Sequence, residues 1–312
     1  MTIRVYNLEF PDWCNEIIIY GYRFTRAEDY EDKYANLQHL VPHTHEFSVD
    51  FNTGQHAVTA YVDVPSKQKR SIFEWASGNA YALMDILLLL SLFTSRDVFV
   101  LDGEEGVIIA DPRLYQWGGV IGASQKYKGV PVFDQDEDYI RYDIGFEECL
   151  NKTYKLIRSK KWQKQYHHGY FLLLARAAFR RQALESSFIQ CWTIWEHLFT
   201  LHNQSWLSED QIRNMSSHEK IAFIMVEYGI KDIIDKSERK RIQSLSKMRN
   251  RLIHFGRFSE GSVNDDAVLF IRLTEFVIAK ILGLEPSNLF NTLEKIEKFF
   301  NNAGTMGSNK GF

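Results

Sequence analysis

The spacing of apolar residues changes along this chain, and this change constrains its fold more than any other feature. Up to about residue 110, short runs rich in Val, Ile, Tyr and Phe are separated by turn residues such as Asn52-Thr53-Gly54. Runs of this kind are typical of strands. From Ile144 onward, apolar residues recur every three or four positions, as on one face of a helix. The pattern predicts an α+β N-terminal domain followed by an all-α helical bundle.

The N-terminal domain is predicted to span residues 1–143. Its strand-like runs are 3–10, 16–24, 46–51 and 57–64, and a hairpin is expected across 97–101 and 106–110. Residues 71–94 form a helix with leucines on every side of its later turns, which indicates burial. Residues 112–143 are rich in Gly, Asp, Tyr and Gln and are expected to form an irregular connection.

The bundle is predicted to span residues 144–284. Its helices are expected at 146–165, at 169–202 as one or two helices, from 217 to about 229, at 237–255 and at 267–282. Gly256 is well placed to stop the fourth of these. Helices in this order with short connections favour an up-and-down bundle. Residues 285–312 are expected to add a C-terminal helix and a frayed tail.

Charge is unevenly distributed between the two halves. Residues 1–147 hold 12 Lys and Arg against 23 Asp and Glu, whereas residues 148–312 hold 25 against 17. The basic half suits a polyanion as a partner, and the acidic half suggests a separate role. An alternative is that the two halves simply attract each other.

Other features bound the cellular setting. The cysteines, Cys14, Cys149 and Cys191, are far apart and lack metal-ligand or redox spacing, which indicates reduced thiols. The apolar stretch 82–93 is shorter than the roughly 20 residues of a membrane span, and no secretory signal is visible. We therefore expect a cytoplasmic protein without a membrane segment.

A polar cluster ends the helix predicted at 237–255. Its members are Lys247, Arg249, Asn250, Arg251, His254 and Arg257. Asn250 and His254 are four residues apart and share a face, whereas Arg249 lies about 140° around the helix from His254. Arg249 and His254 would therefore meet best near the helix end, or across a two-fold axis to which two copies contribute.

The stretch 248–256, Met-Arg-Asn-Arg-Leu-Ile-His-Phe-Gly, resembles the Arg-polar-x3-His motif of HEPN domains. The predicted helix around Trp195 and Glu196 also looks like the core helix of ApeA-like HEPN proteins, which carries an aromatic residue and a Glu. The resemblance covers about residues 146–283. It implies a homodimer in which two Arg-His pairs share one cleft.

The resemblance also implies an activity, which is cleavage of RNA by its own 2′-hydroxyl group. The products would carry a 2′,3′-cyclic phosphate or 3′-phosphate and a 5′-hydroxyl, and no metal or other cofactor would be needed. An imidazole exchanges protons near neutral pH, so His254 would act in general acid–base catalysis. Arg249 would neutralise charge on the transition state, and Asn250 would orient His254 or hold a phosphate oxygen.

Two further roles remain open at this level. Lys247, Arg251 and Arg257 are expected to bind RNA, although cations at a helix end also interact favourably with the helix dipole. Glu196 is expected to support the site, either buried with a partner such as Arg249 or exposed at an edge. An alternative to catalysis is a non-catalytic HEPN module that binds RNA or a partner protein and mediates dimerisation.

The setting implied by the resemblance is prokaryotic defence against phage, or toxin-like growth arrest. The acidic N-terminal domain would then bind a trigger or regulator, restrain the nuclease or choose its substrate. Two other patterns each allow two explanations. His43, His45 and His56 form a metal-like grouping better explained as strand-edge histidines. The basic run 158–164 contains an aromatic residue and resembles either an RNA track or a solvated helix face.

Overall fold

The computed structural model describes residues 2–10, 14–33, 57–63, 65, 80–94, 98–101, 108–109, 146–179, 184–230, 234–258, 263–284 and 294–295. Among these residues the chain divides into two compact units, the first ending at Lys155 and the second beginning at Leu156. The first unit contains an antiparallel sheet and the second is helical. The predicted order, an α+β region followed by a helical region, is confirmed at this level.

The sheet of the first unit has six described strands. They are β1 (Thr2–Tyr6), β2 (Glu16–Ile19), β3 (Tyr22–Arg26), β4 (Val58–Asp63), β5 (Phe99–Leu101) and β6 (Ile108–Ile109). Their spatial order is β2-β3-β4-β1-β5-β6, with every neighbouring pair antiparallel. In β1, buried Ile3 and Val5 alternate with exposed Thr2 and Arg4, the period of two expected for a strand with one face in a core.

The segment 16–24 was predicted as one strand, and this is wrong. Tyr20 and Gly21 adopt positive φ angles of 51° and 86°, and they turn the chain so that Ile19 pairs with Tyr22. Glycine tolerates such angles without steric cost. The run of apolar residues on both sides of the turn hides it from a reading based on hydrophobicity alone.

The edge of β2 that has no partner among the described strands is covered by the helix α2 (Phe146–Ile157). The carboxylate of Glu147 accepts from the Ile18 N–H at 3.0 Å, and the Asn151 side chain accepts from the Tyr20 N–H at 3.0 Å and donates to the Ile18 carbonyl at 2.7 Å. Unpaired edge groups need such partners. The helix expected to open the bundle therefore belongs to the first unit up to Lys155, beyond the predicted boundary at 143.

The helix α1 (Ala80–Thr94) is buried over residues 82–93, as its leucines predict. Near its end the Ser91 hydroxyl donates to the Leu87 carbonyl and accepts from the Val98 N–H, which leads into β5. No helix in the described part of the chain is long and apolar enough to cross a membrane.

The described part of the second unit contains seven further α-helices. They are α3 (Lys160–Gln165), α4 (Tyr170–Phe179), α5 (Leu184–Asn203), α6 (Glu209–Asn214), α7 (Ser217–Glu227), α8 (Lys236–Phe255) and α9 (Val263–Ile281). The single helix predicted at 146–165 is broken, because the Ser159 hydroxyl accepts from the Trp162 N–H and starts α3. The short helix α6, capped by Ser208, was not predicted.

The core of the second unit lies around α5, which contacts α4, α7 and α9. Phe188, Trp192 and Trp195 of α5 pack against Phe270 of α9, with ring centroids 5.3 to 5.5 Å apart. The Trp195 indole also donates to the Thr274 hydroxyl at 2.8 Å. This aromatic layer packs α9 against α5, and α8 contacts both of these helices.

Several predictions fall outside the described residues. They are the strand at 46–51, the first part (71–79) of the helix predicted at 71–94, the connection at 112–143, the histidines at positions 43, 45 and 56, and all but two residues of the C-terminal segment 285–312.

Candidate functional site

Helix α8, which carries the predicted motif, has clear local causes for both of its ends. The Asp235 carboxylate accepts from the Glu238 N–H at 2.9 Å and caps the N-terminus. Gly256 has a φ of 70°, and its N–H donates to the Leu252 carbonyl at 2.8 Å. A left-handed glycine at this position is a common helix stop. The predicted end at Gly256 is confirmed.

The orientation of α8 is set by one apolar stripe. Ile242, Leu245, Met248 and Leu252 are buried and follow a spacing of three and four residues. The side of the helix opposite this stripe faces solvent. Lys247, Asn250, Arg251 and His254 are all exposed, so the predicted polar cluster is accessible in the folded chain.

Arg249 stands apart from the rest of the cluster. It is half-buried, and its guanidinium donates to the side-chain oxygen of Asn250 at 3.0 Å. His254 is exposed, and the centroid of its ring lies 6.5 Å from that of the Phe255 ring. The structure thus brings Arg249 and Asn250 together, and it leaves His254 about 140° around the same helix from Arg249.

Glu196 does not pair with Arg249, so the partner suggested from the sequence is wrong. Its carboxylate is half-buried and accepts from the Trp192 indole N–H at 3.0 Å and from the Ser217 hydroxyl. Ser217 begins α7, so this contact joins α5 to the first turn of α7. Glu196 therefore satisfies the need of a buried carboxylate for donors through a structural link between helices.

Arg257 lies just beyond the end of α8 and is exposed. The next residue, Phe258, is half-buried and packs edge-to-face on Phe188 of α5, with ring centroids 5.7 Å apart. This contact anchors the chain after the Gly256 turn. Arg257 follows His254 by three residues and lies at the same end of the helix.

A polar cluster that the sequence reading missed joins three other segments of the second unit. His202 of α5 contacts the Glu227 carboxylate through Nδ1 and the Tyr228 hydroxyl through Nε2, the latter at 3.0 Å. Burial raises the pKa of Tyr228, and burial likewise raises the pKa of Tyr166, to which Tyr228 is hydrogen-bonded. Both phenols therefore stay protonated. No sequence pattern indicates this cluster, because its residues come from separate segments.

The cysteines offer no reactive thiolate. Cys14, Cys149 and Cys191 are free and buried. Burial raises the pKa of Cys149 to about 12 and also raises the pKa values of Cys14 and Cys191. Thiol nucleophiles in enzymes have lowered pKa values instead. Within the described residues, no group of three or more His, Cys, Asp or Glu is arranged to hold a metal ion.

Comparisons with protein-family models, with curated proteins and with solved structures find no match to this chain. The resemblance to HEPN domains therefore stands on the motif residues of α8 and on the helical setting around them.

Proposed function

We propose that this protein is a metal-independent RNA endonuclease of the HEPN type. The observation that carries the proposal is the state of the motif at the end of α8. His254 is exposed on a basic helix face, and Arg249 and Asn250 are hydrogen-bonded to each other about one turn before it. This chemistry needs a group that transfers protons and cations that bind the phosphate, and the motif contains both.

In the proposed reaction the substrate RNA supplies its own nucleophile. A 2′-hydroxyl gives up its proton, and its oxygen attacks the adjacent phosphorus. The bond from phosphorus to the 5′-oxygen breaks, and that oxygen takes a proton. His254 moves one of these protons, while the Arg249 guanidinium balances negative charge on the phosphoryl oxygens. Asn250, held by Arg249, orients a phosphate oxygen.

The separation of Arg249 and His254 around α8 supports a site shared by two copies. One helix does not converge these groups, whereas two helices related by a two-fold axis present four groups to one cleft. Ile253 and Phe255 flank His254 and are 54% and 73% exposed. In the proposed dimer these two side chains would be available for contacts with the second copy.

The test is incubation of total RNA with the protein in EDTA. His254→Ala is expected to lower the cleavage rate by about 10²- to 10⁴-fold, the usual contribution of a proton-transfer group. Arg249→Ala is expected to lower it by about 10²- to 10³-fold, the usual contribution of one group that stabilises transition-state charge. Fragments should carry a 5′-hydroxyl, which a polynucleotide kinase labels directly. Lys161→Ala, at an exposed position of α3, is the matched control and should cleave like the wild type.

Two controls test whether the loss of cleavage comes from the substituted residue. The His254→Ala variant should keep the unfolding free energy of the wild type within about 0.5 kcal/mol, because an exposed side chain is removed. Equal residual cleavage by the wild type and both active-site variants would indicate a contaminating nuclease and would sink the assignment.

A second candidate function is a non-catalytic module that binds RNA or a partner protein and mediates dimerisation. The separation of Arg249 and His254 within one chain favours this reading if no second copy is present. It predicts RNA binding in EDTA without cleavage, and sedimentation analysis would show whether the protein is a dimer.

The proposed biological setting is the prokaryotic cytoplasm, in defence against phage or in toxin-like growth arrest, with the N-terminal unit binding the trigger. Expression of the wild type in bacteria should then halt growth and degrade RNA, whereas His254→Ala should be tolerated. Equal toxicity of the two forms would contradict this setting.

A further inference from the structure

The outward side of α8 carries more positive charge than the motif itself accounts for. The helix contains seven basic residues and one acidic residue. We use the name basic line for five exposed cations of this helix, which are Lys236, Arg239, Lys240, Lys247 and Arg251. On an ideal helix each lies within about 60° of a line drawn from Lys236 to His254. The basic line therefore runs along one side of α8 to His254.

The partners of these cations separate them from the other basic residues of α8. Arg241 donates to the Asp266 carboxylate at 3.1 Å, and both side chains are about one-third exposed. Arg249 donates to Asn250. The five cations of the basic line, by contrast, form no ion pair within the part of the chain that the structure describes.

The helix dipole does not explain the first part of the basic line. The C-terminal end of a helix attracts cations, which accounts for Arg251 and His254 without any ligand. Lys236 is the first residue of α8, and Arg239 and Lys240 follow within five residues. Cations near a helix N-terminus are mildly unfavourable for stability. The helix dipole therefore does not account for these three residues.

We infer that the basic line is a binding track for the backbone of single-stranded RNA, which it leads to His254. This inference rests on the proposed function, which supplies the RNA and the reacting end. From Lys236 to His254 the rise along the helix is about 27 Å. A row of like charges along that length, with no ion pair among the described residues, raises the local potential for a polyanion and can neutralise successive phosphates.

The geometry favours a single strand over a duplex. One row of cations along one straight helix matches one phosphate backbone. An A-form duplex has a deep and narrow major groove that side chains do not reach, so α8 has no groove to enter. A single strand also leaves its bases and 2′-hydroxyls accessible at the end of the track.

The helix α3 provides a comparison surface of similar charge. Its Lys160, Lys161 and Lys164 are exposed, but the helix has only six residues. The aromatic residue among them, Trp162, is buried and donates its indole N–H to the Ile281 carbonyl at 3.2 Å. It is therefore not available to stack on a base, and α3 serves as the matched control.

The experiment measures binding of the full chain to a fluorescent single-stranded RNA whose 2′-hydroxyls are methylated, so that cleavage does not interfere. The test variant is the triple substitution Lys236→Gln, Arg239→Gln and Lys240→Gln. Its affinity at about 0.1 M salt is expected to fall by roughly 10- to 100-fold. The slope of log affinity against log salt should decrease by about 2, because each lost phosphate contact removes about 0.7.

The control variant carries glutamine at the three exposed lysines of α3 and is expected to bind within about twofold of the wild type. A duplex of the same sequence should bind the wild type several-fold more weakly than the single strand. The test variant should unfold at the same denaturant concentration as the wild type or a higher one, since cations leave the start of a helix.

The outcomes separate this inference from the proposed function. Wild-type affinity of the test variant, an equal loss in the α3 control, or tighter binding of the duplex would each overturn the track. Binding that depends on the basic line in a protein that never cleaves RNA would support the track and reject the ribonuclease. Cleavage that needs His254, with a raised KM and unchanged kcat in the test variant, would support both.

Discussion

The interior of the second unit and the outward side of α8 both contain polar side chains, but the two regions differ in whether these side chains have partners within the fold. Within α9, the Arg272 guanidinium donates to the Glu275 carboxylate at 2.8 and 3.0 Å. Between α5 and α9, the Trp195 indole donates to the Thr274 hydroxyl. On α8, the exposed Lys240 and Lys247 form no ion pair within the described residues.

The presence or absence of a partner within the fold separates structural from functional polar residues in one helical unit. Buried polar groups must find partners within the fold, since leaving them unpaired is costly. Their presence is explained once the partners are seen. The exposed cations of the basic line have no ion pair among the described residues, and we seek their role in a ligand.

The largest expected effect comes from the buried ion pair of α9. The side chains of Arg272 and Glu275 are 4% and 0% exposed. Glu275→Gln should lower the unfolding free energy by about 3 to 5 kcal/mol, because it removes the negative charge that accepts two hydrogen bonds from the buried guanidinium. Equilibrium unfolding in urea measures this loss.

A matched surface pair provides the control. Arg213 and Asp210 of α6 have the same three-residue spacing, but their side chains are 75% and 73% exposed. Asp210→Asn should change the unfolding free energy by less than about 1 kcal/mol, as exposed ion pairs contribute little. Similar losses in the two variants would break the comparison between interior and surface.

A smaller effect is expected from the hydrogen bond between α5 and α9. Thr274→Val keeps the side-chain volume but leaves the buried Trp195 indole N–H without its acceptor. The expected loss is about 1 to 3 kcal/mol. Thr200, which is half-buried and donates to the Glu196 carbonyl at 3.1 Å, offers the control, and Thr200→Val should cost less than Thr274→Val. The reverse order would show that the indole contact contributes nothing.

The smallest effect concerns His197 of α5, a half-buried case between the two extremes. Its Nε2 atom is buried without a hydrogen-bond partner in the described residues. Burial, and secondarily the nearby His167, lower the pKa of His197 below its ordinary value of 6.5. The unfolded chain therefore takes up this proton at a higher pH than the folded chain.

The contribution of neutral His197 to the unfolding free energy is therefore complete above about pH 6.5, and it declines as the pH falls below this value. The unfolding free energy of His197→Gln should consequently fall less steeply than that of the wild type between about pH 6.5 and 5. Urea unfolding across this range measures the two slopes. Parallel slopes would show that His197 is protonated equally readily in the folded and unfolded chains.

Much of the fold follows from local sequence patterns. Gly256 predicted the end of α8. The leucine-rich residues of α1 predicted its burial. Errors arose where a turn lies inside an apolar run, as at Tyr20-Gly21, or where one serine hydroxyl interrupts a helical pattern, as at Ser159. In both places a local backbone preference overrides the hydrophobic period.

The candidate site was predictable as a set of residues but not as a set of contacts. The sequence places Asn250 and His254 on one side of a helix, and the structure shows both exposed. The contact between Arg249 and Asn250, and the pairing of Glu196 with Trp192 and Ser217, depend on rotamers and on a neighbouring helix. Periodicity carries no information about either.

The end of α8, and the order of an α+β region followed by a basic helical region, could be predicted from the sequence alone. Both depend on residues that lie close together in the chain. The partners of the buried polar groups depend instead on tertiary packing. Trp195 and Thr274 are 79 residues apart in the chain, and only the packing of α5 against α9 makes each the partner of the other.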